Sequence, residues 1–214
     1  MQRTSLGLAF LCSLLACRSS KPAAPPPGIS GQLQVVEFRV PAGETLWVDG
    51  DLVVSSTGPI AIDGRLVARD AAELGLQDAP RIELISALAI DVPGEVLGGR
   101  GTDVQRTRGG HGSSVVLRAP WVRVQGRVVA GAGGAGGLSL PGGKGGDALV
   151  RGMLEGSGEA GHVALRSGAG GRGGANGGVG GANGDAGVHE PQDRHADTYA
   201  LREQALAALA RMRR

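Results

Sequence analysis

Along the middle of the chain, short runs in which apolar and polar residues alternate are closed again and again by glycine. Leu33 to Val40, Leu46-Trp47-Val48, Leu52-Val53-Val54, Ile60-Ala61-Ile62 and Leu66-Val67-Ala68 have the length and the two-residue period of β-strands. Between them recurs a unit apolar-x-Gly-x-apolar, at Val48 to Leu52, Ile62 to Leu66, Val92 to Val96 and Val124 to Val128, centred on Gly50, Gly64, Gly94 and Gly126. A looser copy spans Val150 to Leu154. An Asp-Gly pair between strands signals a hairpin with a type I′ turn. Pro93 cannot take the positive φ that turn needs, and the residue before the glycine varies. The constant features, the glycine and its apolar flanks, instead predict a corner between stacked strands, bent through a conformation that glycine takes cheaply. A longer repeat agrees. Ile82 to Gly99 aligns with Ser114 to Gly131, each copy beginning 12 residues before its corner glycine, and His162 to Arg166 starts a truncated third.

The C-terminus changes period. From Asp197 to Met212 strong helix formers dominate, and Leu201, Ala205, Leu209 and Met212 fall on one face. Asp197 suits the start and Arg211, Arg213 and Arg214 the negative end of the helix dipole. The helix is expected to cap the strands; an exposed partner-binding or membrane-surface helix is the alternative.

Glycine supplies 40 of the 214 residues, against roughly 7 % in ordinary chains. Most lie between Gly94 and Gly187, in tracts such as Gly131 to Gly137 and Gly168 to Gly187. Such tracts form either flexible loops or backbone layers held by hydrogen bonds. With no Gly-X-Y register of the collagen kind drawn through them, the expectation here is mobile loops.

Charge and chemistry narrow the function. The net charge of +2 gives no reason to expect an anionic polymer, and five aromatic residues give no platform for stacking bases, so nucleic acid is not an expected partner. Both cysteines, Cys12 and Cys17, belong to the N-terminal leader, which excludes disulfides, thiolate catalysis and Cys-ligated zinc from the body. Asp49, Asp51 and Asp63 form a near-cluster, with Asp49 expected to stack over Asp63, but Asp before Gly is ordinary turn chemistry. His111, His162, His189 and His195 are scattered; the last two, beside Glu190, Asp193 and Asp197, are read as solvated loop residues. Gly142 to Val150 matches one copy of the calcium nonapeptide G-G-x-G-x-D-x-U-x, which makes Asp147 the one calcium candidate; no metal site is otherwise expected. Lys144 is followed by Gly145, so the tracts lack the ending of a phosphate loop.

The leader has a positive start, Met1-Gln2-Arg3, and an uncharged apolar run from Leu6 to Leu15, too short for a bilayer span of roughly 20 residues. Leu14-Leu15-Ala16-Cys17 resembles the bacterial lipobox, whereas Leu11 is too bulky for Cys12 to compete. The resemblance implies cleavage between Ala16 and Cys17, a diacylglycerol on the Cys17 thiol and an acyl chain on its new amino group. Two or more chains anchor a protein durably. Arg18, rather than an Asp, follows Cys17, which by the same resemblance places the protein in the outer membrane, facing the periplasm or the cell surface.

The expected organisation is therefore a signal peptide over 1–16, a Pro-rich tether over 17–31, a glycine-rich domain over 32–187, and a linker and helix over 188–214. The domain resembles the glycine-rich parallel β-helix proteins of bacterial surfaces. The fold class expected is mainly β, a parallel β-solenoid with Gly-rich loops and one C-terminal α-helix. The function expected is a membrane-anchored envelope lipoprotein with a structural, adhesive or binding role and no catalysis. Its partners would be the lipid bilayer and an envelope or matrix polysaccharide or protein, and no cofactor is expected beyond the covalent lipid on Cys17. A carbohydrate-binding or carbohydrate-active β-helix and a calcium-stabilised β-roll-like module are the alternatives.

Overall fold

The computed structural model describes residues 26–155, 165–189 and 197–212. Ala16, Cys17, His162, Glu190, Asp193 and His195 lie outside the described residues, and of His189, Asp197 and Leu201 only the backbone is described. In chain order the elements are β1 (Ile29–Val35), β2 (Phe38–Val40), β3 (Thr45–Ser56), β4 (Ile60–Ile62), β5 (Arg65–Ala68), the single turn α1 (Ala71–Leu74), β6 (Ile82–Ser86), β7 (Ala89–Val92), β8 (Glu95–Leu97), β9 (Val115–Val124), β10 (Arg127–Val129), β11 (Ala148–Glu155), β12 (Leu165–Arg166), β13 (Ala186–His189) and α2 (Asp197–Met212). The fold is mainly β with a C-terminal helix whose bounds are those its periodicity predicts. Strand β1 opens inside the segment expected to be tether.

Every pairing among these strands is parallel, and the pairs fall into three ladders. In the first, β1 pairs with the rear half of β3, then β6, the front of β9, the front of β11 and β13 follow. The second runs β2, β4, β7, the rear of β9 and the rear of β11. The third runs from the front of β3 through β5, β8 and β10 to β12.

Like stacks on like along each ladder. Val54 lies beside Leu84, Leu84 beside Leu117 and Leu117 beside Val150; in the third ladder Leu66, Val96, Val128 and Leu165 do the same. All belong to one buried apolar cluster. Removing such a side chain from water contributes about 1.5–3 kcal/mol, so the rows supply the main cohesion of the fold.

The 32-residue repeat holds for the second and third ladders, where Ile90 faces Val122 and Glu95 faces Arg127. In the first it fails by one residue: Ile82 faces Val115, not Ser114. The shift matters because successive strand residues point to opposite faces. It sets Leu84 against Leu117, both fully buried, and is absorbed where Ile85 to Ala89 is matched by the shorter step from Arg118 to Trp121.

Corner glycines Gly64, Gly94 and Gly126 stack as the repeat predicts, but for a different reason. None has a positive φ. A Cβ on Gly94 would lie 1.9 Å from the carbonyl oxygen of Gly64, and one on Gly126 would lie 1.8 Å from that of Gly94. Closeness of backbone, not a left-handed bend, demands glycine there. Gly50 is not in this stack; it lies inside β3, where the chain passes from the third ladder to the first. The looser copy around Gly152 lies at the bend between the first and second ladders, inside β11, with a register shift and φ of 145°.

The glycine tracts are ordered, contrary to the mobile loops expected of them. Between the third and first ladders the chain runs outward over 98–104, 130–137 and 167–174 and returns over 109–114, 141–147 and 178–185. The two sets of segments bond to each other in a zigzag: Gly134 N–H donates to Gly110 (2.8 Å), Gly143 to Gly134 (2.8 Å), Gly171 to Gly143 (2.8 Å) and Gly181 to Gly171 (2.8 Å). Within a layer Gly101 donates to Ala132 (2.9 Å) and Gly133 to Ala169 (2.8 Å). A three-residue register does run through the tracts, at Gly131, Gly134 and Gly137 and at Gly168, Gly171 and Gly174. It places a hydrogen atom where a neighbouring backbone passes: a Cβ on Gly171 would lie 1.9 Å from Gly134 O. The result is a projecting arm built from backbone alone, its bonds offsetting the entropy that glycine loses on ordering.

Helix α2 lies on the outside of the second ladder. Ala205 and Leu209 are buried against Ala61, Ala89 and Trp121, with Leu206 and Met212 at the margin. The small side chains of β4 and β7 let the helix approach, which is why those strands are buried on both faces. No helix among the described residues is long and apolar enough to cross a membrane.

Candidate binding groove

Where the first ladder bends into the second, each repeat contributes a small residue to the same register position: Ser56, Ser86, Ala119 and Gly152. The serines tie one repeat to the next. Ser56 Oγ donates to Val36 O (2.7 Å), and Ser86 Oγ donates to Gly58 O (2.8 Å) while accepting from the N–H of Leu88 and Ala89. Outside this bend lie two open depressions of about 470 and 430 Å³. They share Ile85 and Ser86 and so form one groove along the stack.

The groove's outer row is set by register: Gln34 faces Ser55, Ser55 faces Ile85, Ile85 faces Arg118 and Arg118 faces Arg151. Neighbouring strands are about 4.8 Å apart, so this row offers an amide, a hydroxyl, an apolar side chain and two cations at regular intervals. Arg118 lies 3.6 Å from Glu83, which Arg81 also approaches at 3.0 Å. Arg151 is exposed and has no ion-pair partner among the described residues. Together they leave that end of the groove cationic. The signal for this row is present in the sequence as equivalent positions of successive repeats, but the one-residue shift in the first ladder hides it.

The acidic residues singled out from the sequence are drawn into the framework. Asp49 accepts from Gly28 N–H (2.8 Å) and Arg69 Nε (2.5 Å), whereas Asp63 accepts from Arg39 Nε (2.9 Å); the two do not stack. Asp51 accepts from Arg81 N–H (2.8 Å), Asp70 from Arg100 (2.7 Å), Asp78 from His111 (2.7 Å) and Asp103 from Ala135 (2.6 Å). In each of these last four the donor is the backbone one repeat further on. These carboxylates therefore act as stitches, replacing strand bonds where the chain turns.

Asp147, the calcium candidate, makes the same stitch to Asp185 N–H (2.9 Å) and holds Lys144 Nζ at 3.0 Å. Burial works against its ionisation, but the Asp185 amide and the Lys144 ammonium outweigh it and hold the carboxyl below its ordinary value. The ammonium already supplies the positive charge at this carboxylate. Among the described residues no three His, Cys, Asp or Glu side chains gather as a metal site would require. His111 uses Nδ1 to accept from Lys144 N–H (2.9 Å), again one repeat on.

On the third ladder Arg65, Glu95 and Arg127 are register neighbours, with Glu95 bonded to Arg65 (2.9 Å) and Arg127 (2.7 Å). The hydrogen bond from Arg127 lowers the Glu95 pKa most, against the effect of burial, and both guanidinium charges add to it. A carboxyl depressed in the folded state stabilises above its unfolded pKa, about 4.3, and loses that contribution as pH falls through the folded value. Glu95→Gln should thus lower the melting temperature at pH 7 and have a progressively smaller effect as pH falls below about 4. Melts of both proteins across that range check it; an equal deficit at every pH would refute the assignment.

No protein-family model, curated protein or solved structure matches this chain.

Proposed function

We propose that this chain is a lipid-anchored protein of the bacterial cell envelope whose body, a glycine-rich parallel β-helix, binds an extended polymer and performs no catalysis. The observation that carries the binding role is the outer row Gln34, Ser55, Ile85, Arg118 and Arg151, one residue from each of five register-aligned strands. An open groove with a regular step matches a repeating chain better than a small molecule, which favours an enclosed pocket. The β-helix reading is supported by the way each ladder is revisited in turn, repeat after repeat. The stitching role of the carboxylates favours binding over acid–base chemistry, for which a carboxyl must be available to substrate. The two arginines, set side by side by the register, favour an acidic polysaccharide of the envelope or matrix, a partner that the net charge by itself gives no reason to expect.

The anchor rests on Leu14-Leu15-Ala16-Cys17, and the outer-membrane location on Arg18. Intact mass of the membrane-extracted protein should show a chain beginning at Cys17 with diacylglycerol and an N-acyl group, and Cys17→Ser should abolish both. A soluble, unmodified native product would end the lipoprotein reading. For the groove, Arg118→Ala/Arg151→Ala should weaken retention on immobilised acidic polysaccharide at least tenfold, since each charge-assisted hydrogen bond lost counts about 1.5–3 kcal/mol. Unchanged retention would remove the groove from the function.

A further inference from the structure

The glycine arm ends in three turns, at 105–108, 138–140 and 175–177, brought side by side by the backbone layers behind them. Asn176 N–H donates to Leu138 O (2.9 Å), Gly174 N–H to Leu140 O (3.1 Å), Gly142 N–H to Val179 O (3.0 Å) and Gly137 N–H to Thr107 O (3.2 Å). Three of the five exposed large apolar side chains among the described residues sit on this tip: Leu138, Leu140 and Val179, at 66 %, 38 % and 74 % exposure. Leu138 also has a φ of 31°, the one non-glycine residue with a positive φ among those described. A branched, bulky residue is disfavoured there. An apolar side chain is thus kept at the extremity of the arm against both its hydration and its backbone preference, which marks the position as functional rather than structural.

Charge indicates what the tip meets. Arg106 and Arg172 flank it, both exposed and without an ion-pair partner among the described residues. The backbone of Arg172 accepts from Gly136 N–H (2.9 Å), and Arg106 adjoins Gln105, whose carbonyl packs on Gly137. Apolar side chains at the extremity with cations beside them fit an interface of hydrocarbon below and anionic headgroups above. We propose that the tip of the glycine arm is a membrane-insertion site that docks on a bilayer surface containing anionic lipid. Leu138, Leu140 and Val179 enter the headgroup–acyl boundary and Arg106 and Arg172 engage lipid phosphates. This contact is separate from the proposed lipid on Cys17 and does not depend on it.

The full chain carrying Cys12→Ser and Cys17→Ser has no thiol, so Ser139→Cys accepts a single environment-sensitive NBD label at the tip. With phosphatidylglycerol vesicles its emission should rise and shift to the blue, and with pure phosphatidylcholine vesicles far less. Leu138→Ser/Leu140→Ser should abolish the shift. Arg106→Gln/Arg172→Gln should weaken the apparent vesicle affinity about thirtyfold, two arginines at roughly fivefold each near an anionic surface. A label at Ser55→Cys, in the groove, reports adsorption through the apolar leader and should stay unshifted. Val179→Ser serves as a third variant should the double leucine change alter the melting curve. The proposal is overturned by an unshifted label at 139, by equal shifts at 55 and 139, or by a shift the leucine substitutions leave intact. A shift that needs no vesicles and grows with protein concentration would assign the tip to a second copy of the chain and overturn it equally.

Discussion

Gly143→Ala is expected to destabilise the protein by about 3 kcal/mol or more and to lower its melting temperature by roughly 10 °C. Gly143 lies in the middle of the arm. Its N–H donates to Gly134 O and its carbonyl accepts from Gly171 N–H, each at 2.8 Å. A methyl group there would lie 1.9 Å from Gly110 O and 2.5 Å from its carbonyl carbon, where ordinary contact begins near 3.4 Å. Neither obstacle is a side chain that can rotate away; both are backbone held by further bonds on the far side. The layers must part by more than an ångström, and buried amides then lose partners at about 1–3 kcal/mol each. Gly187→Ala is the control, since nothing lies within 4 Å of a Cβ there and its φ is not positive. It should change stability by no more than about 0.5 kcal/mol. Equal melting of the two variants would show that the tracts are loops after all.

Arg123→Ala should cost about 3–5 kcal/mol in urea denaturation, because it withdraws the cation from a carboxylate that is fully buried. Asp91 has no exposed surface and accepts from Arg123 Nε at 2.9 Å and Nη2 at 2.6 Å. The hydrogen bonding to Asp91 raises the Arg123 pKa against the effect of burial. The guanidinium also lies over Trp121, 5.5 Å from the ring centroid, where α2 covers the second ladder. Losing the arginine therefore loosens the helix seat as well as the charge balance. A paired replacement, Asp91→Leu/Arg123→Met, should recover more than half of the loss, since an apolar pair carries no desolvation cost. If the double variant is as unstable as Arg123→Ala, packing around Trp121 and not the buried charge governs this site.

Helix α2 and the corners at Gly64, Gly94 and Gly126 were legible in the sequence because each depends on local information. A 3.6-residue period or a recurring five-residue unit can be recognised wherever it occurs. The strands were legible for the same reason, through β-branched residues in short runs such as Val53-Val54 and Ile60-Ala61-Ile62. The groove was not. Its row of Gln34, Ser55, Ile85, Arg118 and Arg151 repeats no residue type except arginine and depends on a ladder offset that differs by one from the repeat visible at the corners. Asp49 and Asp63 show the same limit: their Asp-Gly units are alike in sequence, yet one lies inside β3 and the other at a corner.

By itself, then, the sequence determined that the chain is mainly β with one terminal helix, that glycine recurs at stacked corners, and that its body holds no thiol chemistry. Only the tertiary structure decided what the glycine tracts are. Hydrophobic patterning reports which side chains leave water, and a residue without a side chain contributes nothing to that signal. Whether Gly134 and Gly143 lie in a loop or in a backbone layer depends on partners such as Gly110 and Gly171, and those hydrogen bonds exist only once distant segments lie side by side. The same holds for the exposed tip of the arm, where Leu138, Leu140 and Val179 acquire a common surface from the stacking behind them.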